Sequence, residues 1–315
     1  MQTAEKDPGA ALDAKRFELS RWGIHIGPLG YLAAERQRLD ALTWQHFDVE
    51  RLGATIGAVV KGVDLTAELG PELVAELRQA LLDYKVLFFR DQPLSATQHV
   101  AFARAFGELE VHPFIPANPE HPELVRFAKS ADVAGYENIW HSDVSWREIP
   151  SMGAVLRAVE VPATGGDTLF SDMYAAYDGL PAGMRERIDG LVATHDFLLS
   201  FGGQVPADQL EDTRARYPQV RHPVVRTHEE TGRKLLYVNR VFVDHVEGME
   251  PDESTELLSA LCRQAEMAEH QCRWQWEPDS IAFWDNRAVQ HYACSDYWPS
   301  VRVMERASII GGRPV

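Results

Sequence analysis

Cysteine is scarce in this sequence of 315 residues. The three cysteines are Cys262, Cys272 and Cys294, and no two of them form a Cys-x-x-Cys pair. An odd count without close pairs argues against both a disulfide framework and a thiolate zinc site. We therefore expect a reducing, cytoplasmic location.

Long apolar runs and an excess of positive charge are also missing. No stretch approaches the roughly 18 apolar residues of a membrane-spanning helix, and the N-terminus lacks the apolar centre of a signal peptide. Asp and Glu number 47 against 31 Lys and Arg, a formal net charge of −16. Because phosphate backbones and anionic lipids bind basic surfaces, neither nucleic acid nor a membrane is an expected partner. A small anionic substrate is still compatible, since a few buried arginines can reverse the charge locally.

What remains is a globular composition, with 45% hydrophobic and 25% charged residues. Residues 1–46 are expected to form a partly flexible N-terminal extension, and 47–315 one domain. The body begins with a strand, a helix, a strand and a helix. Later segments are mostly strand-like, such as 153–160 and 233–243, with one good helix over 256–268. This order predicts a mainly β fold with flanking helices around a sandwich or barrel core.

The sharpest chemical signal is the segment Trp140-His141-Ser142-Asp143. If the segment is extended, the imidazole and the carboxylate lie on one face, because side chains alternate along a strand. Two histidines and one carboxylate on one face of an octahedral ion leave three positions open, as in non-haem Fe(II) oxygenases. His-x-Asp alone is a weak signal in a chain with 12 histidines. A second histidine is required, and His291 is the candidate.

A strand near the C-terminus carries two arginines on a face that should be buried. Arg302, Met304 and Arg306 alternate with other residues and therefore share one face of the strand. Buried guanidinium groups are costly without a partner, so such residues usually meet anions. An edge strand with a solvated basic face is the alternative.

These segments, taken in order, resemble the taurine catabolism dioxygenase (TauD/TfdA) family of Fe(II)- and 2-oxoglutarate-dependent oxygenases. The resemblance runs from about Phe47 to Pro314. It includes GATIGAVVKGVDLT, VLFFRDQPLS, FGELEVHP, WHSDVSW, PATGGDTLFSDMYAAYDGLP, FWDNRAVQHYA and RVMERASIIGGRP. It implies a double-stranded β-helix core (jelly-roll, cupin-like), Fe(II) as metal, 2-oxoglutarate as cosubstrate and O₂ as oxidant. Family members commonly form homodimers or homotetramers.

The resemblance also implies roles for individual residues. It assigns the iron to His141, Asp143 and His291. It assigns the distal carboxylate of 2-oxoglutarate to Arg302, eleven residues after the late histidine, and to Thr168 in the Gly-Gly-Asp-Thr segment. A planar guanidinium and a hydroxyl group suit such a carboxylate.

Five further positions concern the primary substrate. Taurine enzymes hold a sulfonate with the counterparts of Arg306 and His112 and with the backbone amide after the iron-binding aspartate, here that of Val144. Ile115 stands where those enzymes have a tyrosine, and Glu137 where they have an asparagine. Ile115 favours a more apolar substrate, such as an alkyl sulfate or a longer sulfonate. Glu137 would meet a cationic amine or, in the interpretation we favour, face solvent.

The expected reaction is hydroxylation of a small anionic substrate, an alkyl sulfonate or alkyl sulfate. The products would be succinate, CO₂ and an aldehyde with sulfite or sulfate. The same chemistry on a carboxylate or a secondary metabolite is an alternative. Two alternatives belong to other classes: a zinc hydrolase, because two histidines and an aspartate also suit zinc, and a non-catalytic metal-binding protein.

Several other candidates are expected to be structural. His228 precedes two glutamates in a charged hairpin turn, and His195 stands next to an aspartate, so the two side chains diverge. Asp285 and Arg287 are expected either to pair and fix the loop before the late histidine or to form an ordinary surface salt bridge. The aromatic residues expected in the core, some of them lining the iron pocket, are Trp140, Trp146, Phe170 and Trp284.

Overall fold

The computed structural model describes residues 17–19, 24–112, 115–135 and 137–315. Its helices are α1 (Tyr31–Asp40), α2 (Pro71–Tyr84), α3 (Ala96–Arg104), α4 (Met173–Asp178), α5 (Ala182–Ile188), α6 (Leu198–Phe201), α7 (Leu210–Arg216) and α8 (Pro251–Cys262). Short 3₁₀ helices cover Gly202–Gln204, Ala207–Gln209, Arg263–Glu266 and Ala268–His270.

The strands are β1 (Phe17–Leu19), β2 (Ile24–Ile26), β3 (Asp48–Arg51), β4 (Ala58–Lys61), β5 (Val86–Phe89), β6 (Leu124–Lys129), β7 (Ser151–Glu160), β8 (Thr168–Asp172), β9 (Val192–His195), β10 (Val220–Pro223), β11 (Val225–Thr227), β12 (Lys234–Leu236), β13 (Val243–Val246), β14 (Gln271–Trp274), β15 (Ile281–Asp285), β16 (Val289–Ala293) and β17 (Arg302–Ile310).

Two sheets pack against each other in the centre of the fold. The larger has the order β3-β4-β5-β15-β7-β17-β6, and the smaller has the order β14-β8-β16. Aromatic side chains join them, because Phe88 of the larger sheet stacks on Trp274 of the smaller, with ring centroids 4.3 Å apart, and Phe170 packs on Trp284 at 5.7 Å. The prediction of a mainly β protein with flanking helices is confirmed.

Local sequence signals account for the elements at the start of the body. The apolar run of β5 is buried at all four positions, as expected for a central strand. Helix α2 begins at Pro71, whose fixed φ suits the first helical turn. Helix α3 has a capping box: the Ser95 hydroxyl accepts from the Gln98 amide at 3.2 Å, and the Gln98 side chain accepts from the Ser95 amide at 2.8 Å.

Two predicted elements have different limits in the structure. The strand predicted over 233–243 ends at Leu236, because the Asn239 side chain accepts from the backbone amides of Val241 and Phe242, at 3.1 and 2.9 Å, and turns the chain. The helix predicted over 256–268 begins earlier, at Pro251, and becomes a 3₁₀ helix after Cys262.

Helix α1, within the predicted N-terminal extension, contacts the body closely. Leu39 belongs to the same apolar cluster as Phe47. Glu35 accepts from the fully buried Lys85 ammonium at 2.8 Å and from Arg233 at 3.0 Å. The boundary at residue 46 stays a prediction, and the predicted flexible start of the chain lies outside the described residues. Within the described ranges, no helix combines the length and the apolar character needed to cross a membrane.

Candidate active site

Three predicted donor side chains converge between the two sheets. Asp143 Oδ1 lies 3.9 Å from His141 Nε2 and 4.0 Å from His291 Nε2. The three donor atoms all lie within 4.8 Å of one another, and in the described part of the chain this is the only such group of three or more His, Cys, Asp or Glu residues. Bonds of roughly 2 Å to one first-row metal ion would draw the three donors closer together.

The backbone around the first two donors differs from the expected extended segment. His141 does pair with His291, and each amide donates to the other's carbonyl, at 3.1 and 2.8 Å. The chain then turns at once, and Val144 adopts a left-handed φ of +48°. Asp143 therefore reaches the donor group from a turn, and the alternation argument was wrong for this residue. A left-handed β-branched residue costs about 1–3 kcal/mol, a strain that proteins concentrate at functional sites.

Asn286 holds this turn in place, and sequence reasoning missed it. Its side-chain oxygen accepts from the Asp143 amide at 2.7 Å. Its side-chain nitrogen donates to the carbonyls of Asp143 and Ser151, at 3.0 and 3.1 Å. Asn286 is buried in the turn that joins β15 and β16. The one feature of the sequence that could have pointed to Asn286 is its neutral amide between the charged Asp285 and Arg287.

We expect Asn286→Ala to weaken metal binding about tenfold, the lower end of the effect of losing an outer-shell partner. The Asp143 peptide would lose its side-chain clamp, so the carboxylate would spend less time at the donor group. Competition against a metal chelator measures the affinity.

Gln92→Ala is a matched control for this substitution. The buried Gln92 side chain also accepts from one backbone amide, that of Leu65, and donates to two backbone carbonyls, those of Val63 and Arg90. The control should lower the melting temperature comparably and leave metal affinity unchanged. Equal metal affinity in the two variants would contradict the role of Asn286.

Two of the donors, Asp143 and His291, have the protonation states that metal binding requires. His141 Nδ1 lies 2.8 Å from the Ile139 carbonyl, and donation to it leaves Nε2 for a metal. Burial and the neighbouring imidazole lower the pKa of His291 to about 3. Burial alone would raise the pKa of Asp143, but Arg306, which donates to it at 2.8 Å, and the two imidazoles lower it to about 2. At neutral pH Asp143 is therefore a carboxylate and the imidazole of His291 is uncharged.

A cavity adjoins the donor group, and both sheets line it. Its apolar wall includes Phe127, Leu156, Phe170, Trp284 and Met304. Phe170 and Trp284 were expected there. The other two predicted aromatic residues, Trp140 and Trp146, are buried elsewhere and are not among the described residues that line the cavity.

One end of the cavity offers two donors for an anion. Arg302 donates through Nε to the Gly166 carbonyl at 3.2 Å, while its buried Nη2 has no hydrogen-bond partner among the described residues. Burial lowers the pKa of Arg302, a sign that its charge is poorly compensated. The buried Thr168 hydroxyl accepts from the Trp276 indole at 2.9 Å, which leaves its proton to be donated. The pair fits the distal carboxylate of 2-oxoglutarate.

The close approach to Arg302 explains a glycine of the Gly-Gly-Asp-Thr segment. Gly166 has φ +73°, and a Cβ atom there would lie 3.2 Å from Arg302 Cδ. Glycine meets both requirements because it has no side chain and tolerates positive φ.

Arg306, predicted for the substrate anion, lines the same cavity and lies beside Asp143. Arg306 donates to Asp143, and its buried Nε has no hydrogen-bond partner among the described residues. Burial and the charge of Arg306 lower the pKa of His112 to about 4. The Ile115 amide donates to His112 Nδ1 at 3.1 Å, so the neutral ring carries its proton on Nε2 as a donor.

Three predicted substrate residues, His112, Ile115 and Val144, are not among the described residues that line the cavity. Val144 instead packs in an aromatic cluster with Trp146, Phe197 and Phe242. Of the residues predicted for the substrate, Arg306 and Glu137 therefore line the cavity, whereas Val144 lies in this cluster.

Glu137, which was predicted to face solvent, is partly exposed and is paired within the protein. Its carboxylate lies 2.8 Å from the Lys129 ammonium, and both side chains line the cavity. The cation paired with Glu137 is therefore a residue of the protein and not a substrate amine. Sequence reasoning missed Lys129, because the pairing joins strand β6 to a loop eight residues further on.

The other histidine candidates are structural, as expected. Buried His228 Nε2 lies 3.0 Å from Asp285, whose carboxylate also accepts from Arg287 at 2.7 and 2.8 Å. Because Asp285 and Arg287 are both buried, the pairing interpretation is confirmed and the surface alternative is wrong. His195 is fully buried, with Nδ1 3.1 Å from the Ser145 hydroxyl.

Comparison with known proteins identifies the family of this chain. Residues 48–308 match the model of the taurine catabolism dioxygenase TauD, TfdA family. The chain belongs to this family and is an Fe(II)- and 2-oxoglutarate-dependent dioxygenase. The donor group and the anion-binding end of the cavity fit these two groups, so the zinc hydrolase and the non-catalytic protein are set aside.

Individual relatives cover most of the chain. It is 34% identical to an alkylsulfatase of Acinetobacter baylyi over 85% of this chain and 86% of the relative. It is 37% identical to the alpha-ketoglutarate-dependent 2,4-dichlorophenoxyacetate dioxygenase of Cupriavidus pinatubonensis, over 74% of this chain and 87% of the relative. A crystal structure of a putative alpha-ketoglutarate-dependent taurine dioxygenase from Burkholderia xenovorans superposes with a TM-score of 0.76, at 37% identity, over 85% of this chain and 94% of that one.

Proposed function

We propose that the protein oxidises a small anionic organosulfur compound, best an alkyl sulfate or alkyl sulfonate, at the carbon that bears the sulfur group. Bound Fe(II) with 2-oxoglutarate supplies the activation of O₂ and the oxidising power. One oxygen atom goes to the substrate carbon and the other to succinate, with loss of CO₂. The hydroxylated carbon then expels sulfate or sulfite and becomes an aldehyde.

The observation that carries this proposal is the pair of donors beside the metal ligand Asp143. Arg306 keeps a buried Nε–H without a partner in the described structure, and His112 carries its proton on Nε2. We assign the backbone amide of Val144 as a third donor, supported by its place directly after Asp143. A sulfate or sulfonate has three terminal oxygens, enough to accept from all three. Fixed there, the head group would hold its own carbon beside the metal.

Ile115 supports a substrate with an apolar chain, because it offers an apolar contact where taurine enzymes have a tyrosine. The alkylsulfatase of Acinetobacter baylyi, by its name, acts on alkyl sulfates, which agrees with this preference.

A second candidate is the same oxidation of an aryloxy acid. Phe127 lines the cavity beside Arg306 and could stack on an aryl group. Arg306 would then bind a carboxylate. The Cupriavidus relative, by its name, acts on 2,4-dichlorophenoxyacetate.

The test is succinate release over a panel of hexyl sulfate, hexanesulfonate, taurine and phenoxyacetate. We expect hexyl sulfate or hexanesulfonate to have the highest kcat/KM. Arg306→Ala should reduce that value by about 30-fold or more, because truncating one partner of a buried charged pair costs about 2–5 kcal/mol.

Metal affinity must be measured in the same variant, because Arg306 also donates to Asp143. Arg126→Ala is the control, since Arg126 lies on the exposed face of neighbouring strand β6 and pairs with Glu305. An Arg306 variant with normal metal affinity and full activity on an anionic substrate would refute the anchoring role.

We further infer that the two facing sheets form a double-stranded β-helix, or jelly roll, within a catalytic domain over 47–315, preceded by the extension 1–46. The site between the sheets supports this arrangement. The scarcity of cysteine supports a cytoplasmic location. The partners would be small molecules rather than nucleic acid or a membrane, in a homodimer or homotetramer.

A further inference from the structure

Lys129 is a second cation beside Arg302 in the wall of the cavity. Strand β6 runs antiparallel to β17, and Lys129 pairs in register with Arg302. Side chains of paired residues project to the same face, with Cα atoms about 4.5–5.5 Å apart. Both side chains line the cavity, and only 11% of the Lys129 side chain is exposed. Two cations on adjacent strands therefore share one wall.

Glu137, in the loop that follows β6, is the anion near both cations. Lys129 Nζ lies 2.8 Å from a Glu137 carboxylate oxygen and 3.5 Å from the Ala134 carbonyl. Glu137 also acts on Arg302: burial lowers the pKa of the guanidinium, whereas Tyr297 and Glu137 raise it. Glu137 thus supplies negative charge near both cations.

We propose that Lys129 binds the distal carboxylate of 2-oxoglutarate together with Arg302 and Thr168, and that Glu137 is the anion it releases when the cosubstrate enters. The inference rests on the 2-oxoglutarate dependence of the enzyme. It is independent of which primary substrate is oxidised.

The register of the two strands assigns Lys129 to the cosubstrate. Arg306, the proposed anchor of the primary substrate, pairs with Val125, four residues before Lys129 on β6. At about 3.3 Å per residue, the two positions lie roughly 13 Å apart along the strand. Lys129 is therefore at the Arg302 end of the site.

The exchange of anions requires little rearrangement. The Glu137 side chain is 35% exposed, and an ion pair that water reaches holds its partners weakly. A buried guanidinium with an unsatisfied N–H, like that of Arg302, costs more. A carboxylate that contacts both cations satisfies the buried group and frees Glu137 to turn to solvent.

Two substitutions with opposite expected effects test this. In the Fe(II)-loaded protein under anaerobic conditions, calorimetry measures the Kd of 2-oxoglutarate without any primary substrate. Lys129→Met should weaken binding about tenfold through the lost charge-assisted contact. Glu137→Gln should tighten binding about threefold, because the competing anion is removed while the shape is kept. Binding of 2-oxopentanoate, which lacks the distal carboxylate, should be unchanged in both.

Arg126→Met is the matched control. It removes a cation from the same strand, but from the opposite face, where Arg126 pairs with Glu305 at 2.7 Å. The control should bind 2-oxoglutarate normally. An unchanged Kd in Lys129→Met, or weaker binding in Glu137→Gln, would overturn the proposal, since a merely structural ion pair predicts similar losses in both variants. Failure of organosulfur turnover would refute the substrate assignment alone, because this experiment contains no primary substrate.

Discussion

Replacing His291 with alanine is expected to abolish turnover and to reduce bound iron far below one ion per chain. The His291 imidazole supplies one of three donor atoms within 4.8 Å of one another. Paired backbone hydrogen bonds to His141 fix the position of the residue. Loss of a direct ligand should exceed the roughly 10- to 100-fold effect of losing an outer-shell partner. Metal analysis of the desalted protein and succinate release measure the two effects.

His99→Gln separates this loss from the general cost of removing a buried histidine. His99 is fully buried on α3, and its Nε2 lies 2.9 Å from the Val155 carbonyl. That variant should be destabilised but should bind iron stoichiometrically when folded. Normal iron content and turnover in His291→Ala would mean that the metal lies elsewhere.

Arg302→Met should leave iron bound but nearly abolish the binding of 2-oxoglutarate. The guanidinium is buried, is oriented by the Gly166 carbonyl and keeps an unsatisfied Nη2 for the carboxylate. Removing one partner of a buried charged contact costs about 2–5 kcal/mol, which is roughly 30-fold or more in Kd. Anaerobic calorimetry of the Fe(II)-loaded variant gives the value directly.

Arg157→Met serves as the comparison for Arg302→Met. Arg157 lies on the neighbouring strand β7 but pairs with Asp279 at 2.5 Å. It should bind the cosubstrate like the parent protein. A similar loss in both variants would point to a general disturbance of the sheet, and no loss in Arg302→Met would remove this arginine from the cosubstrate site.

Short-range patterns in the sequence predicted the elements that depend on neighbouring residues. The run Val86–Phe89 is a buried strand, Pro71 starts a helix, and Ser95 caps the next one, because each depends on backbone conformation or contacts within a few residues. The alternation of Arg302 and Arg306 placed both on one buried face for the same reason.

Ordered motifs also identified the donor group, although the local geometry assumed for it was partly wrong. His141 and Asp143 converge as predicted, but through a left-handed turn at Val144 instead of strand alternation. The motif therefore predicted the residues of the donor group correctly. The residue types did not predict the backbone conformation that brings these residues together.

The amino-acid sequence by itself determined the β-rich class, the family and the residue types of the donor group, and it predicted the cation that binds the cosubstrate. Only the tertiary structure decided which side chains support them. The Asn286 clamp on Asp143, the Trp276 hydrogen bond to Thr168 and the pairing of Lys129 with Glu137 join segments that lie far apart or across a loop. The physical reason is that strand register and turn geometry are set by the packing of the whole core, and a shift of one residue would turn the strand residues Thr168 and Lys129 to the opposite face.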